Sequence, residues 1–301
     1  MVFLSLKGGY IKTVKLLNLS SVVSNTRKFE KHLASEEYGS ATVQKYKRDI
    51  LKFIRYLNLD NQKTVSKNDV ILYKRWLFER YSPQSVNSML ASLNMYMKFL
   101  NHPELTVKYI KIQQKPFADP DTYLTKDAYL QLVAAAYRNG DYETGMIMET
   151  LCSTGIRIDE LKSVTAEGIR KGRITTYNKG KARVILVPQN MQKKLLDYIE
   201  TKNVKSGPVF QTKYGNPVDR SNVWKKMKKI ASEAGISEEC VYPHNFRHVF
   251  AETYYEKTND LISLANLLGH TSIDTTRIYL KRMEQEYKNE LDKLDLVMDH
   301  V

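Results

Sequence analysis

The stretch from 242 to 280, YPHNFRHVFAETYYEKTNDLISLANLLGHTSIDTTRIYL, decides how the rest of the chain reads. It carries His244 and Arg247 as H-x-x-R with His248 beside them, then His270 in LLGH and Tyr279 in TTRIYL. His244 and Arg247 are three apart, so a helical turn presents both on one face, where imidazole and guanidinium can converge on one phosphate. Phe250, Tyr254, Leu261, Leu264, Ala265, Leu267 and Leu268 recur as in two packed helices. Gly269 ends the second of them, because a left-handed cap is cheap only for glycine. His270 therefore sits on a turn just beyond a rigid element. Thr271 to Thr276 then restarts a helix, and Tyr279 falls a few residues into it. A phenol with a pKa of about 10 is a weak nucleophile. Positive charge around a phosphate, and a histidine to take or share the proton, would activate it. Each residue alone is an ordinary feature of a helical protein; together, in this order, they read as a site for attack on a phosphodiester.

These motifs resemble the C-terminal signature of the tyrosine recombinases, also called the phage integrase family, and in particular their compact Xer-type members. The resemblance calls for an earlier arginine and a hairpin lysine. STGIRIDEL supplies Arg157 in T-G-x-R, followed by Glu160 and Leu161, at a helix start where peptide dipoles favour an anion. Glu160, one turn on, reads as a buttress or cap. RITTY (173–177) and ARVILVP (182–188), joined by NKGK, alternate as a β-hairpin. Lys179 matches the lysine of the family's G-K-G motif, with Asn178 in place of the first glycine; Lys181, two residues on, is the alternative.

The resemblance implies a mechanism. Tyr279 attacks the scissile phosphate to give a 3′-phosphotyrosine and a free 5′-hydroxyl, while Arg157 and Arg247 clamp the non-bridging oxygens. Lys179 protonates the leaving oxygen, His244 transfers protons and His270 hydrogen-bonds the phosphate; His248 is structural. No metal, ATP or other cofactor is required. Double-stranded DNA is the partner, with a homotetramer on two duplexes and room for an accessory protein.

Composition agrees with a polyanionic partner. The 301 residues hold 47 Lys+Arg against 33 Asp+Glu, a net charge of +14. Residues 1–120 hold 20 Lys+Arg and 9 Asp+Glu, net +11, whereas 121–301 hold 27 and 24, net +3. The front half thus carries most of the attraction. Two cysteines, Cys152 and Cys240, lie far apart and in no metal-ligand spacing, as in a reduced, cytoplasmic protein. No run approaches the roughly 20 apolar residues of a membrane span, and the N-terminal apolar patch is too short and interrupted for a signal peptide.

Residues 1–24 show no strong period. From Asn25 the chain reads as helices. One is capped by Ser40 or Thr42, with Val43, Tyr46, Ile50, Phe53 and Leu57 inward and Lys45, Lys47, Arg48, Lys52 and Arg55 on its surface. A second starts at Asn68 or Asp69, with Val70, Tyr73, Leu77 and Phe78 inward. A third opens at Pro83 with Val86, Leu90, Leu93, Met97 and Leu100. Lys45, Lys47, Arg48, Lys52 and Lys181 are candidate DNA contacts. Pro103, Pro116 and Pro120 break the pattern.

The expected fold is mainly α with a small β-hairpin. By resemblance it is a two-domain C-shaped clamp: a helical SAM-like core-binding domain (25–107), a linker (108–122) and an α+β catalytic domain (123–283). The acidic segment 284–301 carries Tyr287, Leu291, Leu294 and Met298 at helical spacing; by resemblance it docks on a neighbouring subunit, and folding back in cis is the alternative. Two other functions stay open: a catalytically silent DNA-binding accessory or regulatory protein of this fold, and a type IB topoisomerase-like enzyme or telomere resolvase. The intact polar set argues against the first, and the small helical front domain and amphipathic tail favour recombination over the second.

Overall fold

The computed structural model describes residues 17–58, 63–112, 119–178, 181–270, 272–280 and 284–294. The chain divides into two compact units, Met1–Gln114 and Lys115–Val301. It is mainly helical, with two short antiparallel sheets.

In the first unit, β1 (Leu17–Asn18), α1 (Leu19–Ser24), α2 (Thr26–Ser35), α3 (Ser40–Asn58), β2 (Thr64–Val65), α4 (Lys67–Phe78) and α5 (Pro83–Phe99) follow in order. The pairing of β1 with β2 and the helix α1 have no counterpart in the sequence reading, because two-residue strands leave no period to detect. Phe29, Leu33, Ile50, Phe53, Leu57, Leu77, Leu90 and Met97 bury the facing stripes in one core. The start of α4 differs from expectation: Ser66 is the cap and Asp69 its reciprocal partner in a capping box, so two orphan donors are satisfied at once. Phe78, expected inward, ends the helix exposed. Helix α5 opens at Pro83, as expected, with Ser82 as its cap.

Two polar devices hold this unit beyond its apolar core. Asp49 is buried, paired with Lys45 at 2.9 Å and accepting from Ser92 Oγ at 2.7 Å. Asn87 and Asn94 lie two helical turns apart on α5 and hold the extended chain that follows. Asn94 donates to Val107 O at 2.8 Å and accepts from Val107 N at 2.8 Å; Asn87 does the same with Ile110 at 2.9 and 2.7 Å. Each amide imitates the backbone of a neighbouring strand, so the start of the expected linker is fastened to the first unit.

The second unit runs α6 (Lys126–Arg138), α7 (Tyr142–Thr154), a 3₁₀ turn (Ile158–Ser163), α8 (Ala166–Arg170), β3 (Arg173–Asn178), β4 (Lys181–Leu186), α9 (Gln189–Thr201), α10 (Arg220–Glu233), α11 (Pro243–Thr258), α12 (Leu261–Leu268), α13 (Ile273–Arg277), a 3₁₀ turn (Ile278–Leu280) and α14 (Glu284–Asp292). Its core is built on Leu132, Ile147, Leu151, Ile156, Ile174, Ile185, Leu195, Phe210, Met227 and Phe246. In the β3–β4 hairpin Ile174 pairs with Ile185 and both are buried, whereas Tyr177, Val184 and Leu186 face outward. Gly269 takes φ +64° as the left-handed cap of α12. Helix restarts at Ile273 behind a Ser272 cap, two residues later than expected, and Tyr279 lies in the 3₁₀ turn after it. Leu291 on α14 and Leu294 just beyond it are 64% and 57% exposed; Met298 lies outside the described residues.

Replacing Asn94 by Ala removes both partners of Val107 at a buried site. The variant is expected to lose about 2 kcal/mol of stability, read from the urea midpoint, with faster hydrogen exchange at the Val107 amide.

Candidate active site

Arg247 follows His244 by three residues, one turn on, near the start of α11, whose first position is Pro243, where the missing N–H costs nothing. The two side chains differ in setting. Arg247 is 1% exposed and is the largest fully buried side chain of the described residues. Its Nη1 donates to Gly155 O, at the left-handed turn ending α7. Its Nη2 donates to Leu268 O at 2.6 Å, at the end of α12, and to His270 Nε2 at 3.0 Å. Burial, then the neighbouring Arg157, pulls its pKa down to about 10.

The arginine contact settles the His270 tautomer. Arg247 can only donate, so Nε2 accepts, and the ring proton sits on Nδ1, 2.9 Å from Thr276 Oγ1. Burial followed by Arg247, Arg157 and Arg183 lowers the His270 pKa to about 4. His244 is lowered in the same direction by burial, then by Arg247 and Arg157.

Tyr279 is 5% exposed and packs with Ala251, Leu264 and Leu268. Its ring centroid lies 4.9 Å from that of His244, 4.5 Å from His248 and 5.2 Å from His270, and 5.6 Å from the Arg247 guanidinium carbon. His248, expected to be structural, is thus the closest of the three imidazoles to the phenol ring. Four residues of the sequence reading, together with His248, therefore meet at one place.

Arg157 completes the group from the 3₁₀ turn after α7. Its backbone N donates to Glu160 Oε2 at 3.0 Å and its Nη1 lies 3.4 Å from Oε1, so Glu160 buttresses it as expected. Arg157 remains one-third exposed, and with His244 and Arg247 it lines a cleft of about 500 Å³. Asp159, Arg220, Trp224 and Tyr242 are also part of its wall, with Arg220 bound to Asp159 at 2.7 Å and Trp224 Nε1 donating to Val241 O at 2.8 Å.

Sequence reasoning missed Arg183 on β4. It donates to Glu160 at 3.0 Å and to Leu268 O, joining the Arg157 turn to the α12 terminus. The available signal was phase: Arg183 alternates with the buried Ile185, so a cation stands on the inner face. Lys179 lies outside the described residues, as does the side chain of Lys181. Of the candidate DNA contacts on α3, Lys45 is committed to Asp49 and to Ser88 O (2.6 Å), Lys47 to Glu30 at 3.2 Å and Lys52 to Tyr81 Oη at 2.8 Å, while Arg48 is exposed. Among the described residues no group of three or more His, Cys, Asp or Glu side chains is placed to hold a metal ion, and no helix is long and apolar enough to cross a membrane.

The profile described as "Phage integrase family" matches residues 122–286, and that described as "Phage integrase, N-terminal SAM-like domain" matches 27–103. The chain belongs to the phage integrase family. Tyrosine recombinase XerD of Listeria monocytogenes is 30% identical over 277 residues, covering 82% of this chain and 91% of that protein. Tyrosine recombinase XerA of Pyrococcus furiosus is 27% identical over 278 residues, 82% of this chain and 93% of that protein. Among solved structures, a lambda integrase dimer (residues 75–356) bound to a COC′ core site superposes with a TM-score of 0.70 at 17% identity, covering 95% of this chain and 99% of that one. These findings place the chain among the tyrosine recombinases by sequence and by fold.

With a folded-state pKa of about 4 against an ordinary 6.5, His270 is neutral in the native protein where the unfolded chain is already protonated. The unfolded state binds more protons in that window, so this residue's contribution is intact above pH 6.5 and falls as the pH drops towards 4. The C–H resonances of the His270 ring are expected to show no titration between pH 8 and about 5, and His270→Gln to flatten the acid side of the stability profile.

Proposed function

We propose that this chain is a site-specific DNA recombinase that cuts and rejoins strands through a 3′-phosphotyrosine and a Holliday junction, with Tyr279 as nucleophile. The observation that carries the reading is that Arg157, His244 and Arg247 line one cleft while His270 and Tyr279 pack directly against Arg247 and His244, although the segments lie more than a hundred residues apart. Tyr279 Oη forms the new bond to phosphorus as the bond to the 5′-oxygen breaks. His244, held neutral and 4.9 Å ring to ring from the phenol, takes the phenolic proton. Arg157 and Arg247 stabilise the charge that gathers on the non-bridging oxygens. Lys179 gives its proton to the leaving oxygen, with Lys181 as the alternative on the same hairpin. Side chains supply the cations, so neither metal nor ATP is called for in this scheme.

Two features refine the roles. Tyr279 is buried, so the 3₁₀ turn that carries it must present the phenol outward when DNA binds. His270 Nε2 accepts from Arg247, so a hydrogen bond from it to phosphate requires its proton on Nε2 and a shift of that contact. The same reading assigns DNA gripping to residues 25–107, a linker to 108–122 and catalysis to 123–283. The segment 284–301 docks on a second copy within a tetramer on two duplexes, supported by the exposure of Leu291 and Leu294. The work is done on DNA in the cytoplasm.

The test uses nicked suicide duplexes drawn from the DNA flanking its gene, with wild type and Tyr279→Phe compared on a denaturing gel in the presence of chelator. A covalent protein–DNA band that needs Tyr279 is expected. Tight binding without an adduct on any duplex would instead favour the silent DNA-binding protein.

A further inference from the structure

We propose that Arg183 is a positioning residue that neutralises Glu160 and thereby leaves the Arg157 guanidinium available to the phosphate. The inference rests on the phosphate-clamp reading above and adds to it a residue that works one step behind the clamp. Arg183 lies opposite Thr176 in the hairpin, in phase with the buried Ile185, and its side chain is 16% exposed. A cation on an inward face must find partners, and both Nη atoms do: one donates to Glu160 Oε2 at 3.0 Å, the other to Leu268 O. A lysine has one ammonium and cannot hold two such separated acceptors as a planar fork does. Space is reserved for this side chain, because a Cβ at Gly269 would clash with Arg183 Cδ.

The Glu160 carboxylate is the shared object. Its side chain is 9% exposed, and its closer guanidinium partner is Arg183 at 3.0 Å, with Arg157 Nη1 at 3.4 Å. Remove Arg183, and the buried carboxylate keeps Arg157 as its guanidinium partner. A buried anion left to one cation draws it in strongly, so Arg157 would close on Glu160 and compete with the phosphate that it is meant to hold. Arg183 also shares Leu268 O with Arg247, which ties the same support to the second clamp arginine.

The rate of adduct formation on the suicide duplex tests this, with Arg157→Ala as control. Arg183→Met is expected to cleave about 10- to 100-fold more slowly, a smaller loss than the ~10²- to 10³-fold typical for removing a direct oxyanion donor. DNA binding should stay near wild type. The double variant Arg183→Met/Glu160→Gln should regain most of the lost rate, because a neutral amide does not capture Arg157. On a duplex with a methylphosphonate at the scissile position, one non-bridging charge is gone, and the deficits of Arg183→Met and Arg157→Ala should shrink together. Arg183→Gln, which keeps a polar stem without the charge, repeats the comparison with and without Glu160→Gln if methionine prevents folding. Wild-type cleavage by the folded Arg183 variants, or a loss that Glu160→Gln does not relieve, would overturn the proposal. Wild-type cleavage by Arg157→Ala would overturn the clamp reading itself, and this inference with it.

Discussion

One buried guanidinium is the constraint on which the second unit depends. Arg247 reaches the carbonyl that closes α7 and the carbonyl that closes α12, and it also meets the His270 ring. Helix ends leave carbonyls without partners, and here two of those orphans are satisfied by the same side chain. The turns that carry Arg157 and His270 follow those two helix ends, so their separation is set by the span of one planar group. Burial of a full charge is costly without such partners. Its position is therefore fixed more firmly than that of a surface arginine, and a preorganised cation suits a phosphate whose charge grows during attack.

The electrostatics follow from the same packing. Arg157, Arg183 and Arg247 crowd around a single buried carboxylate, Glu160, so the pocket holds a local excess of positive charge although residues 121–301 as a whole carry only net +3. Each arginine lowers the proton affinity of His270, and Arg157 and Arg247 do so for His244. Neutral imidazoles beside a buried phenol form a site ready to accept a proton once a phosphate balances the cations. The first unit uses polar groups differently: Asp49 with Lys45 and Ser92, and the two asparagines on α5, are spent on holding the chain.

Much of this was legible in the sequence because it rests on local rules. Helical periodicity placed α3 and α5, Ser82 and Pro83 marked a helix start, Gly269 marked a stop, and alternation around NKGK gave the hairpin. The order of Arg157, His244, Arg247, His270 and Tyr279 pointed to one site, and all five meet there. What was hidden depends on the third dimension. No pattern tells that Asn94 will pair with the backbone of Val107, that Lys45 is spent on a buried Asp49, or that the phenol of Tyr279 is packed inside. Ser66, Asn68 and Asp69 are all good capping residues, and only the reciprocal bond between Ser66 and Asp69 separates them. Arg183 was visible only as a charge out of place in a strand.

The central claim is that Arg247 is at once the structural tie of the second unit and part of its chemistry. Measuring the stability of Arg247→Lys by urea unfolding tests it most directly. A single ammonium cannot span both carbonyls, so the account predicts a loss of about 2 to 4 kcal/mol in the absence of DNA. A variant as stable as wild type, impaired only in cleavage, would contradict it.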